Sequence, residues 1–181
     1  LISGISADSR RIQPGYLFVA CPGEQVDGHS FIPQAIANGA NAVIGTQALE
    51  GLGVPYFQVK DSRLALAQLA AAFYGFPARK LVMIGVTGTD GKTTTASLIY
   101  QILLAAGCKP GMVSTVSAQI GEKVLDTGFH VTTPDAPEVQ AFLAEMVASG
   151  LTHAILEATS HGLAQSRVAA CDFDVGVVTN I

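Results

Sequence analysis

Short apolar runs alternate with alanine- and leucine-rich stretches of helical spacing along the chain, and this alternation predicts an α/β protein. Tyr16 to Cys21, Ala42 to Gly45 and Val54 to Val59 are apolar runs of strand length, and Phe31 to Gly39 has a helical pattern. A further helix is predicted from Asp61, whose carboxylate can cap its first turn, to about Tyr74. Gly75-Phe76-Pro77 then breaks the pattern, and the apolar run Leu81 to Val86 opens a new module. A domain boundary is therefore expected near residues 76 to 80, giving a small α/β domain over 1–78 and a second domain over 79–181.

The second module reads as strand, glycine loop and a helix from Lys92 to about Ala106, then an irregular stretch with short strands around Gly111 to Ile120. A helix from about Ala136 to Ser149, a strand at Thr152 to Leu156, a polar loop and a strand at Asp174 to Thr179 follow. Such alternation predicts a mainly parallel sheet with ligands at the carboxyl ends of its strands.

Composition narrows the function without naming it. An apolar content of 49% over 181 residues supports a packed core. A net charge of -4 offers no broad basic surface for phosphate backbones, so nucleic acid is a poor candidate partner. Apolar runs are broken well short of the roughly 18 residues that suggest a membrane span, and no leader-like segment opens the chain. Cys21, Cys108 and Cys171 are widely spaced, as expected of reduced thiols in a cytoplasmic protein. The first residue is not Met and the sequence stops at an apolar strand, so a longer parent protein is expected.

The chemistry concentrates after the strand Leu81 to Val86. Gly88, Thr89, Asp90, Gly91, Lys92, Thr93 and Thr94 join it to a predicted helix, which is the context of a phosphate-binding loop. Glycines let successive N–H groups turn toward phosphate oxygens, and the helix start adds partial positive charge. Lys92 is placed to pair with the β/γ-phosphates of a nucleotide and the Thr93 hydroxyl to ligate Mg2+, the plainer alternative being a glycine turn before a structural helix with a surface Lys. The common spacing would put the loop's first glycine at position 86, where the chain has Val86.

Residues 85 to 95, Gly-Val-Thr-Gly-Thr-Asp-Gly-Lys-Thr-Thr-Thr, closely resemble the variant phosphate loop of the Mur ligases. Ala7-Asp8-Ser9-Arg10, Pro14 to Ala20 and Asp27 to Ile32 are similar to the N-terminal domain of MurE-type members, and so in turn are Thr132 to Asp135 and Glu157 to Arg167. The resemblance implies an ATP-dependent ligase of peptidoglycan precursor synthesis. It would join an amino acid, meso-diaminopimelate or L-lysine, to UDP-N-acetylmuramoyl-L-alanyl-D-glutamate through an acyl phosphate. It also implies a UDP-binding first domain, part of an ATPase domain, and a C-terminal domain that is absent here. The chain alone is expected to lack turnover and to be a monomer. MurF-type ligases and folylpolyglutamate synthase share the glycine loop, and a nucleotide-binding module without ligase activity is the reading from outside the class.

The resemblance also assigns residues. Lys92 and Glu157 are implied as catalytic, and Thr93 and Glu157 as Mg2+ contacts, while His161 is a candidate contact to substrate or Mg2+. A solvent-facing strand-end acid is the plainer alternative for Glu157, and a loop hydrogen bond for His161. Ser9, Glu24, Gln25 and Val26 are implied to hold the UDP end of the substrate, where an ordinary surface turn would also account for them. Thr132, Thr133, Thr159, Gln165 and Arg167 are implied to hold its muramoyl-peptide end, with helix capping the alternative for Thr132 and Thr133 and a two-pronged carboxylate or phosphate grip natural for Arg167; at Thr159 the family more often has Ser, and the hydroxyl is kept.

Overall fold

The computed structural model describes residues 1–23, 26–114, 117–121, 123–126 and 133–180, the last two of the 123–126 segment without their side chains. The chain divides into two compact units, Leu1–Phe73 and Tyr74–Ile181.

The first unit is a parallel four-stranded sheet in chain order: β1 (Gly4–Ser6), β2 (Tyr16–Val19), β3 (Ala42–Gly45) and β4 (Tyr56–Gln58). Helix α1 (Ile32–Ala37) is entered through a 3-10 turn at Gly28–Phe31, and Gly39, at φ +99°, ends it in a conformation that side chains resist. Helix α2 (Ser62–Phe73) starts where Asp61 Oδ1 accepts from the N–H groups of Arg63 at 2.9 Å and Leu64 at 3.0 Å. Phe18, Ile32, Ala35 and Val43 form the centre of this unit's core.

The second unit has a six-stranded sheet. β5 (Val82–Thr87), β6 (Pro110–Val113), β7 (Ser117–Ile120), β8 (Lys123–Asp126), β9 (His153–Glu157) and β10 (Val175–Val178) lie in the order β10-β5-β9-β6-β7-β8. The first four of that order run parallel, while β7 and β8 pair antiparallel and extend one edge. Helices α3 (Lys92–Ala105) and α4 (Ala136–Ala148) pack against opposite faces of this sheet. Met83, Ala154 and Leu156 meet Leu143 and Met146 of α4, whereas Ile84, Val86 and Ile155 meet Ala96 and Tyr100 of α3. Because both faces are covered, β5 and β9 read as unbroken apolar runs instead of alternating ones. A short helix α5 (Ser160–Ala164) follows β9 in what the sequence presents as a polar loop.

The 3-10 segment Pro77–Lys80 folds with the second unit and places Ala78 in that unit's core.

Candidate active site

Strand β5 runs through Thr87, so position 86 lies inside the sheet and Val86 is fully buried; the loop bends only after it. This is the physical reason that glycine is displaced from 86 to 88. Gly88 at φ +138° and Gly91 at φ +77° make the two bends, and Gly91 caps α3 without a side chain. The Thr95 N–H donates to Gly91 O at 2.9 Å, so the N–H groups of Lys92, Thr93 and Thr94 precede the helix's own bonding and lie at its positive end. Lys92 Nζ donates to Gly88 O at 2.8 Å and Thr89 O at 2.9 Å, which curls the ammonium over the loop.

Pairing of β5 with β9 sets Val86 opposite Glu157, so the acid emerges beside the loop. Glu157 is 2% exposed, which excludes a solvent-facing strand-end acid. Its Oε2 accepts from Thr93 Oγ1 at 3.0 Å. A hydroxyl and a carboxylate oxygen in contact at a helix start form a hard-oxygen pair suited to Mg2+ beside a phosphate. Among the described residues no group of three His, Cys, Asp or Glu side chains forms a metal cluster, and a Mg2+ held by one carboxylate, a hydroxyl, phosphate and water needs none.

A second cluster joins Glu157 from the following turn. Thr133 is buried, and its Oγ1 donates to Glu157 O at 3.4 Å or shares a hydrogen with Thr159 Oγ1 at 3.3 Å while accepting from Thr159 N–H at 3.1 Å. Thr159 caps α5, its Oγ1 accepting from the Gly162 N–H at 3.0 Å. Arg167 donates from Nη1 to Thr133 O at 2.6 Å, and from Nε and Nη2 to Gln165 Oε1 at 3.0 and 2.7 Å. Asp135 Oδ1 lies 3.4 Å from Arg167 Nε. His161 Nε2 is 2.6 Å from Gln165 Nε2, a contact on an exposed part of α5. Thr133, Thr159, His161, Gln165 and Arg167 thus form one connected set with Glu157 and Thr93.

In the first unit, the buried Ser9 hydroxyl donates to Gln34 Oε1 at 2.9 Å, and Ser9 O accepts from Asn38 Nδ2 at 2.9 Å. Ser9 therefore ties the 3-10 turn Ser9–Arg11 to α1. Val26 is 55% exposed, and Glu24, Gln25 and Thr132 lie outside the described residues. Asp27 is held below the usual carboxylate range, first by the His29 N–H and then by the His29 ring. His29 Nε2 accepts from Thr46 N–H at 2.8 Å, so the ring hydrogen sits on Nδ1, facing Asp27 Oδ1 at 2.6 Å.

Two site residues escape a reading of the sequence. Thr179 and Asn180, after β10, both bond the glycine loop. Their only sequence signal is a polar pair closing an apolar strand, matching the polar edge at Thr87 to Thr89.

No helix among the described residues is long and apolar enough to cross a membrane. Residues 86–181 match the Mur ligase middle domain, and residues 1–74 match the Mur ligase family catalytic domain. The chain is 47% identical over 184 residues to a UDP-N-acetylmuramyl-tripeptide synthetase of Roseiflexus sp. (strain RS-1), across 99% of this chain and 36% of that protein. It is 42% identical over 180 residues to a UDP-N-acetylmuramoyl-L-alanyl-D-glutamate--2,6-diaminopimelate ligase of Listeria monocytogenes serotype 4b (strain F2365), again across 99% and 36%. A solved structure of a UDP-N-acetylmuramoyl-L-alanyl-D-glutamate--2,6-diaminopimelate ligase superposes with a TM-score of 0.82 at 31% identity, covering 99% of this chain and 36% of that one. MurF from Acinetobacter baumannii superposes with a TM-score of 0.66 at 26% identity over the same shares. The chain thus spans about a third of the length of the relatives it matches, 36% of each of these. With the middle-domain match alone extending over more than half of its residues, the chain belongs to the Mur ligase family.

Proposed function

We propose that this chain is the nucleotide-binding and UDP-substrate-binding portion of an ATP-dependent ligase that adds meso-diaminopimelate or L-lysine to UDP-N-acetylmuramoyl-L-alanyl-D-glutamate. The observation that carries the reading is the contact of Thr93 Oγ1 with the buried Glu157 Oε2 at 3.0 Å, beside a glycine loop that opens onto a helix start. The higher likeness to the diaminopimelate ligase structure than to MurF, TM-score 0.82 against 0.66, supports the MurE-type reading over the MurF-type one.

A carboxylate does not acylate an amine in water, because its oxygen is too poor a leaving group. Phosphoryl transfer from ATP to the D-glutamyl carboxylate makes an acyl phosphate that the amine can attack, so the protein's contribution is placement and charge stabilisation. The N–H groups at the start of α3 and the Lys92 ammonium bind and orient the triphosphate. Thr93 and Glu157 would hold Mg2+, which supplies charge neutralisation on the phosphates. His161, at the exposed end of the same cluster, is assigned to the substrate or metal side through Gln165. Arg167 and Thr133, with Thr132 and Thr159, hold the acceptor end; Gln165 fixes the Arg167 guanidinium so that its orientation is set before substrate arrives. Ser9 and residues 24 to 26 of the first unit take the UDP end. The protein acts in the cytoplasm as a monomer.

Calorimetry of the 181-residue chain against Mg-ATP tests the reading. Binding that weakens at least tenfold in Lys92→Ala is expected, since a charged partner of the phosphates is lost. Equal binding by both proteins removes Lys92 from a phosphate site and defeats the assignment.

A further inference from the structure

The curl of the phosphate loop is set from a distant part of the chain. Asn180 Oδ1 accepts from the N–H groups of Thr89 at 2.7 Å and Asp90 at 3.2 Å, and its Nδ2 donates to Asp90 O at 3.3 Å. The neighbouring Thr179 donates from Oγ1 to Asp90 O at 2.6 Å and from its N–H to Thr87 O at 2.9 Å. The β5–β10 register, with Val178 opposite Thr87, delivers both residues to the mouth of the loop.

Gly88 carries this arrangement. A Cβ at position 88 would overlap Thr179 Oγ1 and stand 3.0 Å from Asn180 N, besides occupying a φ of +138°. Glycine at 88 therefore serves the approach of the Thr179–Asn180 pair as much as the approach of a ligand.

The bonds divide the loop's polar groups in two. The peptide units joining Gly88 to Thr89 and Thr89 to Asp90 give their carbonyl oxygens to Lys92 Nζ and their N–H groups to Asn180 Oδ1. The Lys92 ammonium has three N–H donors and uses two of them on those oxygens, so turning toward a phosphate loosens its hold on the loop. From that moment the same two peptide units are held through Asn180, while the Lys92, Thr93 and Thr94 amides at the helix start face the ligand.

Building on the reading that this loop takes ATP, we infer that Thr179 and Asn180 are positioning residues of the nucleotide site: they keep the loop in its binding curl when Lys92 transfers from the loop carbonyls to the triphosphate. Neither touches the nucleotide. Their effect runs through the orientation of the Lys92 side chain and the helix-start amides.

The test is Mg-ATP calorimetry on the 181-residue chain, at a temperature where circular dichroism shows every variant folded, with melting recorded separately without nucleotide. Asn180→Ala is expected to raise Kd on the order of tenfold, because fixed hydrogen bonds to two peptide units are lost. Thr179→Val keeps the branched shape and loses the hydroxyl, so it weakens binding; Thr179→Ser keeps the hydroxyl and restores it. A purely structural pair would lower the melting temperature in Asn180→Ala and Thr179→Val while the folded proteins bound Mg-ATP as tightly as wild type. That result overturns the inference alone. A wild-type chain that binds no Mg-ATP overturns the nucleotide reading of the loop, and the inference with it.

Discussion

Glu157→Gln separates the proposed metal role of this residue from its place in the core. The side chain is 2% exposed and its Oε2 accepts from Thr93 Oγ1 at 3.0 Å. Glutamine keeps the volume and leaves an amide oxygen for the same hydroxyl, so the hydrogen bond falls from the charge-assisted range to the neutral one, a loss of about 1 kcal/mol. Removing a carboxylate from a buried position relieves a desolvation cost that its partners already largely offset, and this compensates the loss. Stability in urea should therefore be unchanged within about 1 kcal/mol, or slightly higher. A metal facing the site loses an anionic oxygen, and Mg-ATP affinity should fall at least tenfold, with the dependence on Mg2+ concentration flattened. Urea unfolding followed by calorimetry at several Mg2+ concentrations measures both quantities. A variant that binds with wild-type affinity and wild-type Mg2+ dependence would falsify the assignment of Glu157 to the metal; a collapse of stability would show that the carboxylate serves the fold.

Three further expectations come from other parts of the molecule. Gly162→Ala would bring a Cβ to 2.8 Å from Thr133 Cβ, so the Thr133–Thr159–Arg167 set must shift at a cost of about 1–3 kcal/mol, and affinity for UDP-N-acetylmuramoyl-L-alanyl-D-glutamate should drop while Mg-ATP affinity holds. Burial pushes the Cys171 thiol up to about 12 from 9.0, so the folded state keeps its proton where the unfolded chain would lose it; this stability is present below pH 9 and is lost as pH rises from 9 toward 12. At pH 8, alkylation should therefore reach Cys21 and Cys108, both half-buried, well before Cys171, and mass spectrometry of the labelled peptides reads the order. Asp27 is lowered from 3.8, so it stabilises the folded state above that value and the contribution disappears as pH falls below it; Asp27→Asn should flatten the acid limb of a melting-temperature profile and leave pH 7 to 8 nearly level apart from a constant offset.

The parts of this fold that the sequence discloses are those fixed by near neighbours. Asp61 and the helix it caps, the run Val82–Thr87 before the glycines, and the start of α3 at Lys92 all depend on residues within a few positions of one another. The strand Gly4–Ser6 has a single large apolar residue, Ile5, and earns its place only by pairing with β2, so no local pattern announces it. Lys123–Asp126 is an edge strand of mixed character, and Ser160–Ala164 is too short for a helical period to show. The site divides in the same way. The roles proposed for Lys92 and Thr93 follow from adjacency to the loop, but the burial of Glu157 depends on β5 and β9 meeting in register. Ser9 illustrates the limit: its hydroxyl reaches Gln34, 25 positions away, and a motif cannot reveal that partner.

The pairing of β5 with β10 also sets the order in which the molecule can acquire a working loop. Thr89 and Asn180 stand 91 positions apart, and β5 joins β9 and β10 only after α3, β6 and α4 have intervened. Closing so long a stretch of chain costs entropy before any of these contacts returns it, which makes the central pairing a slow event in folding. The glycine loop and its helix are adjacent in sequence and can form early, yet the bonds that fix the loop exist only once β10 has docked beside β5. The fixed form of the loop proposed to hold nucleotide is thus a late product of folding, arriving with the strand that docks beside β5.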